Sequence, residues 1–213
     1  MSEEIVLQAS GVSFQNGPHP AGGPFDFALR LGQGGLVVMD NLDLLRRLMR
    51  CCLGVEQPET GRIDWGAGSG MVSRSGSWGP YELYHQIGCV NRHSQLLGSL
   101  TLSQNLQLLH DYADLEDGPE RARRSLADFG LTEYGNDRAD SLPEPVRRLA
   151  LYVLALAKAP RLLLMERPSQ FLDRDFGPIW AGLRAQAGEG RLAYLVFDRT
   201  RLPYDPAHFQ WCL

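Results

Sequence analysis

The residues best placed to do chemistry are two at the end of an apolar run and two near the start of a helix. Leu162-Leu163-Leu164-Met165 leads directly into Glu166 and Arg167. A carboxylate in that place is a candidate ligand for a divalent cation, although magnesium adapts poorly to the extra methylene of a glutamate. The guanidinium of Arg167 stays protonated, so it cannot take a proton from an attacking water. Earlier in the chain, Asp40-Asn41-Leu42-Asp43-Leu44-Leu45-Arg46-Arg47 leads out of a short apolar segment. Arg46 and Arg47 could hold an anion at a helix start. A phosphate cradle there would need glycines, so that main-chain N–H groups could point at the oxygens, and this segment has none. Asp40 and Asp43 oppose an anion as well, because a carboxylate about 4 Å from a phosphate charge costs roughly 4 kcal/mol at an effective dielectric of 20. Lys158 is the chain's only lysine and stands far from this segment, so no other alignment supplies the lysine a phosphate loop uses.

The elements that position these residues follow from periodicity. Val146, Leu149, Ala150, Val153, Leu154 and Ala157 recur at three- and four-residue steps, one face of a helix. Lys158 complements the negative end of that helix, and Ala159-Pro160 stops it. The run from Leu162 to Met165 does not alternate, as expected of a strand covered on both faces of a parallel sheet. Leu36-Val37-Val38-Met39 reads as another short buried strand. Asn41 or Asp43 can cap the following helix, which carries Leu42, Leu45, Leu48, Met49, Cys52 and Leu53 on one face and ends at Gly54.

Elsewhere, Ile5 to Phe14 and Phe25 to Leu31 read as strands with a Gly/Pro loop from Gln15 to Pro24 between them. Arg62 to Trp65, His85 to Val90 and Leu192 to Phe197 read as further strands, and His208 to Leu213 as a short edge strand. Gly66 to Pro80 is a Gly/Ser-rich hairpin tip. From about Leu96 to Asp140 the chain is helical and polar: Thr101-Leu102-Ser103-Gln104 is a capping box, and Pro119-Glu120 opens a second helix. A helix around Phe176 to Gln186 precedes the last long strand.

Totals narrow the function classes. The chain has 213 residues, enough for one well-packed domain. A formal net charge of -4 without a basic stripe argues against nucleic acid as a partner. The acidic start MSEEIVLQ is not a signal peptide, and Leu149 to Met165 is too interrupted by Lys158, Pro160 and Arg161 to span a bilayer. Cys51, Cys52, Cys89 and Cys212 lack CxxC spacing and read as buried apolar residues in a reducing, cytoplasmic compartment. His19, His85, His93, His110 and His208 lack metal-ligand spacing.

The stretch DSLPEPVRRLALYVLALAKAPRLLLMERPSQFLD resembles the ATP-binding-cassette (ABC) ATPases, the motor subunits of ABC transporters. The family pattern is LSGGQ, a helix, an x-Pro turn, four apolar residues, Asp-Glu-Pro, and a loop ending in Leu-Asp. Without a gap, Leu142 matches the first Leu, Pro160 the turn, Met165 the last apolar place, Pro168 the Pro, and Leu172-Asp173 the end. Ile87-Gly88-Cys89-Val90 enters the Q-loop position, followed at family spacing by Leu96, Leu100-Thr101 and Asn105-Leu106. The resemblance implies a single α/β domain over residues 1–213: a P-loop NTPase-like ABC ATPase fold with an antiparallel β subdomain and, at about 91–140, a helical subdomain.

The functional positions depart from the family pattern. Pro143, Glu144, Pro145 and Val146 stand at SGGQ. Glu166 stands at the metal-binding Asp and Arg167 at the catalytic Glu. A one-residue slip would instead place Met165 and Glu166 there. Leu45 stands at the phosphate-loop lysine and Arg46, followed by Arg47, at the Ser/Thr. Arg92 replaces the Q-loop glutamine and Phe197 the switch histidine; Phe14 or Asn16 falls near the base-stacking position. The resemblance therefore implies a degenerate member that does not hydrolyse ATP. It would act as a structural or regulatory partner of an active ABC ATPase subunit, of a membrane permease, or of both, in a hetero- or homodimer held at the inner face of the membrane. No catalytic residue, cofactor or metal is expected. Two other readings stay open: an ATPase subunit completed by a partner's residues, with ATP, magnesium and Glu166 as the metal ligand, and a stand-alone adaptor.

Overall fold

A computed structural model describes residues 4–16, 19–66, 83, 85–113, 115–171, 177–199 and 209–212. Eight strands form two sheets. The antiparallel sheet takes β1 (Ile5–Asn16), β2 (His19–Arg30) and β4 (Thr60–Trp65) in the order β2-β1-β4. The parallel sheet takes β3 (Gly34–Val38), β5 (Ile87–Val90), β6 (Leu162–Glu166), β7 (Ala193–Asp198) and β8 (Phe209–Cys212) in the order β5-β6-β7-β3-β8. The C-terminal strand is an edge strand, as the sequence suggests.

The expected loop from Gln15 to Pro24 is different: β1 continues to Asn16 and β2 already begins at His19. The prolines that suggest a loop, Pro20 and Pro24, lie on the sheet's outer strand, the place in a sheet that tolerates proline. Register shifts along the β1–β2 pair absorb the glycines. The Gly/Ser stretch falls mostly within residues 67–82, and Leu172-Asp173 within 172–176, outside the described residues.

The parallel sheet explains why its strands do not alternate. On β6, Leu162 and Leu164 face one cluster, shared with α1 (Leu42–Cys52) and the antiparallel sheet. Leu163 and Met165 face a second cluster, built from α4 (Glu144–Leu156) and α5 (Gly177–Gly188). All five residues of β6 are buried. Burying each large aliphatic side chain is worth about 1.5–3 kcal/mol, so both faces of this strand hold the sheet between its layers.

The segment between β5 and α4 forms a helical unit with α2 (Leu102–Tyr112) and α3 (Gly118–Asp128). Leu102, Leu106, Ala122 and Leu126 pack in a third cluster with Ala150 and Val153 of α4. Because α4 also gives Tyr152, Ala155 and Leu156 to the sheet cluster, it joins the helical unit to the parallel sheet. Gly88 allows that approach: a Cβ there would stand 2.6 Å from the Ala155 carbonyl oxygen. Thr101 and Gln104 form the expected capping box, with Thr101 Oγ1 accepting from Gln104 N at 3.1 Å and Gln104 Oε1 from Thr101 N at 2.9 Å. Among the described residues, no helix is long and apolar enough to cross a membrane.

Candidate functional site

The start of α1 and the end of β6 come together at the carboxyl end of the parallel sheet, where open α/β sheets place their ligands. Asn41 caps α1, its side-chain oxygen accepting from Asp43 N and Leu44 N at 3.1 Å each. Two of the helix-start N–H groups that an anion would use are thus taken by the chain's own amide. Leu45 is fully buried in the core beneath the antiparallel sheet. Arg46 turns the other way, and its Nε donates to Glu166 Oε1 at 2.7 Å. The second carboxylate oxygen accepts from Arg92 N at 3.3 Å. Glu166 thus ties α1, β6 and the loop after β5 through one carboxylate.

Arg47 is engaged elsewhere. It binds Glu59 Oε1 at 2.6 Å and Glu56 Oε1 at 2.9 Å, and its guanidinium lies 4.7 Å from the centre of the buried Phe14 ring. The Glu59 hydrogen bond, then that of Glu56, holds Arg47 still more firmly protonated. Burial works against ionisation of Glu56, but the hydrogen bonds of Arg47 and Arg50 outweigh it and lower its pKa. The pair Arg46 and Arg47 therefore does not converge on one anion. Phe14 has no free face for a base, and the side chain of Asn16 is outside the described residues.

The neighbouring positions are also accounted for. Arg167 has a left-handed backbone (φ 48). Its N donates to Phe197 O at 2.7 Å, and Nη1 reaches the Gln170 side-chain oxygen at 2.9 Å once that amide faces it. The Glu166 carboxylate beside Arg167 in the chain is held by Arg46 instead. Arg92 turns its guanidinium to His93 Nε2 at 2.8 Å, so it meets Glu166 only through its main chain. Phe197 is fully buried, paired in register with Glu166 on one side and Val37 on the other. Asp198, the acid that follows Phe197, has no role assigned by the sequence. Fully buried, it accepts from Ser169 N at 2.9 Å and Ser169 Oγ at 2.6 Å, while its main-chain oxygen accepts from Met39 N at 3.0 Å. An acid closing an apolar strand was the available signal, as it was for Glu166.

At the other end of α4, Pro143 is the N-cap, with no side-chain cap bond, and Pro145 follows in the first turn. Glu144 pairs with Arg147 and, at 2.7 Å, with Arg148, contacts that lower its pKa. Val146 packs onto the helical cluster. These four residues do not approach Glu166 in any observed hydrogen bond; they form a separate, partly exposed surface.

A second feature lies between the helical unit and the sheet. A cleft of about 670 Å³ is lined by Leu53, Val55, Leu109, Leu151, Leu154 and Lys158, among others. Lys158 Nζ donates to Ile87 O at 3.4 Å, and burial lowers its pKa to about 8. Among the described residues the exposed large apolar side chains are Val55, Leu97, Leu108 and Tyr112. Val55 lines the cleft, and Leu108 and Tyr112 lie on α2 beside Leu109. No group of three or more His, Cys, Asp or Glu among the described residues could hold a metal ion.

The architecture matches solved cassettes over almost its whole length. It superposes on the ADP conformation of an ATP-binding cassette of an ABC transporter with a TM-score of 0.78 and 16% identity, covering 98% of this chain and 87% of that one. A Clostridium perfringens subunit of the ABC transporter complex cbiONQ gives 0.77 and 17%, covering 93% and 80%. No protein-family model matches the chain. By sequence it is 29% identical over 171 residues to the cytochrome c biogenesis ATP-binding export protein CcmA of Cupriavidus necator, covering 80% of this chain and 72% of that protein. It is 24% identical over 202 residues to the lipoprotein-releasing system ATP-binding protein LolD of Chromohalobacter salexigens, covering 92% and 85%.

The chain has the fold of an ATP-binding cassette and is similar in sequence to ABC ATP-binding proteins. Its sheets, helical unit and strand order are those of a cassette, and Glu166 lies at the end of β6 where the resemblance puts the metal-binding acid. The helix-start amides are capped by Asn41, the lysine position is a buried leucine, and a guanidinium sits on Glu166.

Proposed function

We propose that the chain is a non-hydrolysing cassette subunit of an ABC transporter, paired with an active ATPase subunit, a membrane permease, or both. The observation that carries the reading is at the start of α1, where the Asn41 side chain takes the amides of Asp43 and Leu44 and Leu45 is buried. A polyphosphate there would have to displace the cap and would meet no lysine. Pro143 and Pro145 remove N–H donors from the surface that completes a partner's site in this family, and the Glu144 carboxylate at the helix start is taken up by Arg147 and Arg148. The proposed permease face is the one the resemblance points to, about Asn91 to Asp140; the apolar cleft lined by Ser94, Gln95 and Leu109, with the exposed Val55 at its edge, and the exposed Tyr112 on α2 support it. Through that contact the protein would sit at the cytoplasmic side of a membrane.

A second reading is favoured by the retained carboxylate of Glu166 and by relatives named as ATP-binding proteins: a cassette that binds and hydrolyses ATP once a partner completes the site. Calorimetric titration of the full chain with ATP and excess magnesium separates the two. The non-hydrolysing reading expects no heat and no thermal stabilisation. Saturable binding, with turnover that disappears in Glu166→Ala, would replace it with the ATPase reading.

A further inference from the structure

We propose that the cleft between the helical unit and the parallel sheet binds a small amphiphilic carboxylate, with the ligand's chain against the apolar wall and its head at Lys158. This goes beyond the transporter reading, because the site lies within one chain and takes a small molecule rather than a protein.

The cleft forms where the three apolar clusters meet without closing. Leu53 and Leu83 are partly buried against the cluster beneath the antiparallel sheet. Leu151 is partly buried against the cluster of α4 and α5, and Leu109 and Leu154 against that of the helical unit. All five line one space of about 670 Å³, within the roughly 300–1,000 Å³ that drug-sized ligands occupy. Each leucine leaves apolar surface there, and a hydrocarbon chain in the cleft would remove it from water.

The head group follows from the charge. Among the described lining residues Lys158 is the one charged side chain, and none is acidic. Its side chain is partly buried, and Nζ donates to Ile87 O at 3.4 Å; an ammonium has three protons to donate. Burial lowers the Lys158 pKa to about 8, and burial pushes the thiol of Cys89, also in the lining, up to about 12. At pH 7 the amine is therefore still a cation and the thiol still neutral. A cation in apolar surroundings is costly to keep charged, and an anion brought into the same desolvated space offsets that cost. A carboxylate with an apolar tail matches both the wall and the lysine. An alcohol of the same length matches the wall alone, and a quaternary ammonium brings a like charge.

Calorimetric titration of the full chain at pH 7 with decanoate, decanol and decyltrimethylammonium, each below its micelle concentration, tests the site without any permease. One decanoate is expected to bind per chain, at least about tenfold more tightly than decanol, the size of one charge-assisted contact. Decyltrimethylammonium is expected to bind more weakly than decanol. Lys158→Met should bind decanoate and decanol alike, and Lys158→Arg should keep the preference for decanoate. Leu109→Asp, which sets an acid on the wall, should weaken decanoate more than decanol. Lys158→Gln replaces Lys158→Met if that variant does not fold. The proposal is overturned if wild type binds no decanoate, if it binds decanoate and decanol equally, or if the preference survives in the neutral variant. ATP turnover by wild type would overturn the proposed function, while the head-group comparison reads on the cleft alone.

Discussion

Arg46 and Glu166, 120 positions apart in the chain, meet at 2.7 Å and close the carboxyl end of the parallel sheet with an ion pair. One partner comes from the first turns of α1 and the other from the last residue of β6. The contact therefore reports on the packing of helix against sheet and on the chemistry of the site together.

Breaking that pair from one side should be costly. Arg46→Met leaves a nearly buried carboxylate with one hydrogen-bond donor and is expected to lower stability by about 3 kcal/mol in urea unfolding. The double variant Arg46→Met with Glu166→Leu removes both charges and is expected to recover most of the loss. Equal losses in the single and double variants would show that the pair contributes little.

Asn41 should matter as a cap. Asn41→Ala removes the acceptor for Asp43 N and Leu44 N and is expected to cost about 1 kcal/mol, whereas Asn41→Gly costs a few tenths. The same equilibrium unfolding experiment checks both. Stabilisation of Asn41→Gly, but not wild type, by added phosphate would show the freed amides taking an anion.

Lys158 predicts a dependence on pH. Burial lowers its folded-state pKa from 10.5 to about 8. Between those values the unfolded chain binds more protons than the folded one, so this group makes stability rise as pH increases from about 8 to 10.5. Cys89 acts in the opposite sense, because burial raises its pKa from 9.0 to about 12. The informative quantity is therefore the difference between wild type and Lys158→Met. Melting curves should show the variant's advantage at pH 8 shrinking by pH 10; a constant difference would contradict this.

The exposed apolar residues at the cleft and on α2 can be probed without disturbing the core. Val55 and Tyr112 are each 71% exposed. Val55→Asp and Tyr112→Asp are each expected to change stability by no more than about 0.5 kcal/mol. If this face docks a permease, each should reduce co-purification with it severalfold. Full retention of the complex by both variants would move the docking surface elsewhere.

Much of the fold was legible in the chain because its signals are local. The run from Leu162 to Met165 announced a strand covered on both faces, and its residues do alternate between two apolar clusters. Thr101 and Gln104 announced a capping box that forms as expected. The stretch from Gln15 to Pro24 reads as a loop in sequence but lies largely on paired strands, because Pro20 and Pro24 break a central strand but not an edge strand, and edge position depends on strand order.

By itself the sequence determined which groups the candidate site contains. No glycine and no lysine stand at the start of α1, and one acid, Glu166, follows the β6 run. Residue type and spacing settle such matters because each is a property of one short segment. Only the tertiary structure decided how those groups are used. It set Arg46 on Glu166 and denied that carboxylate to the adjacent Arg167, and it sent Arg47 to Glu56 and Glu59. Neighbouring residues on a helix point about 100° apart, so their partners are chosen by whatever packs against each face.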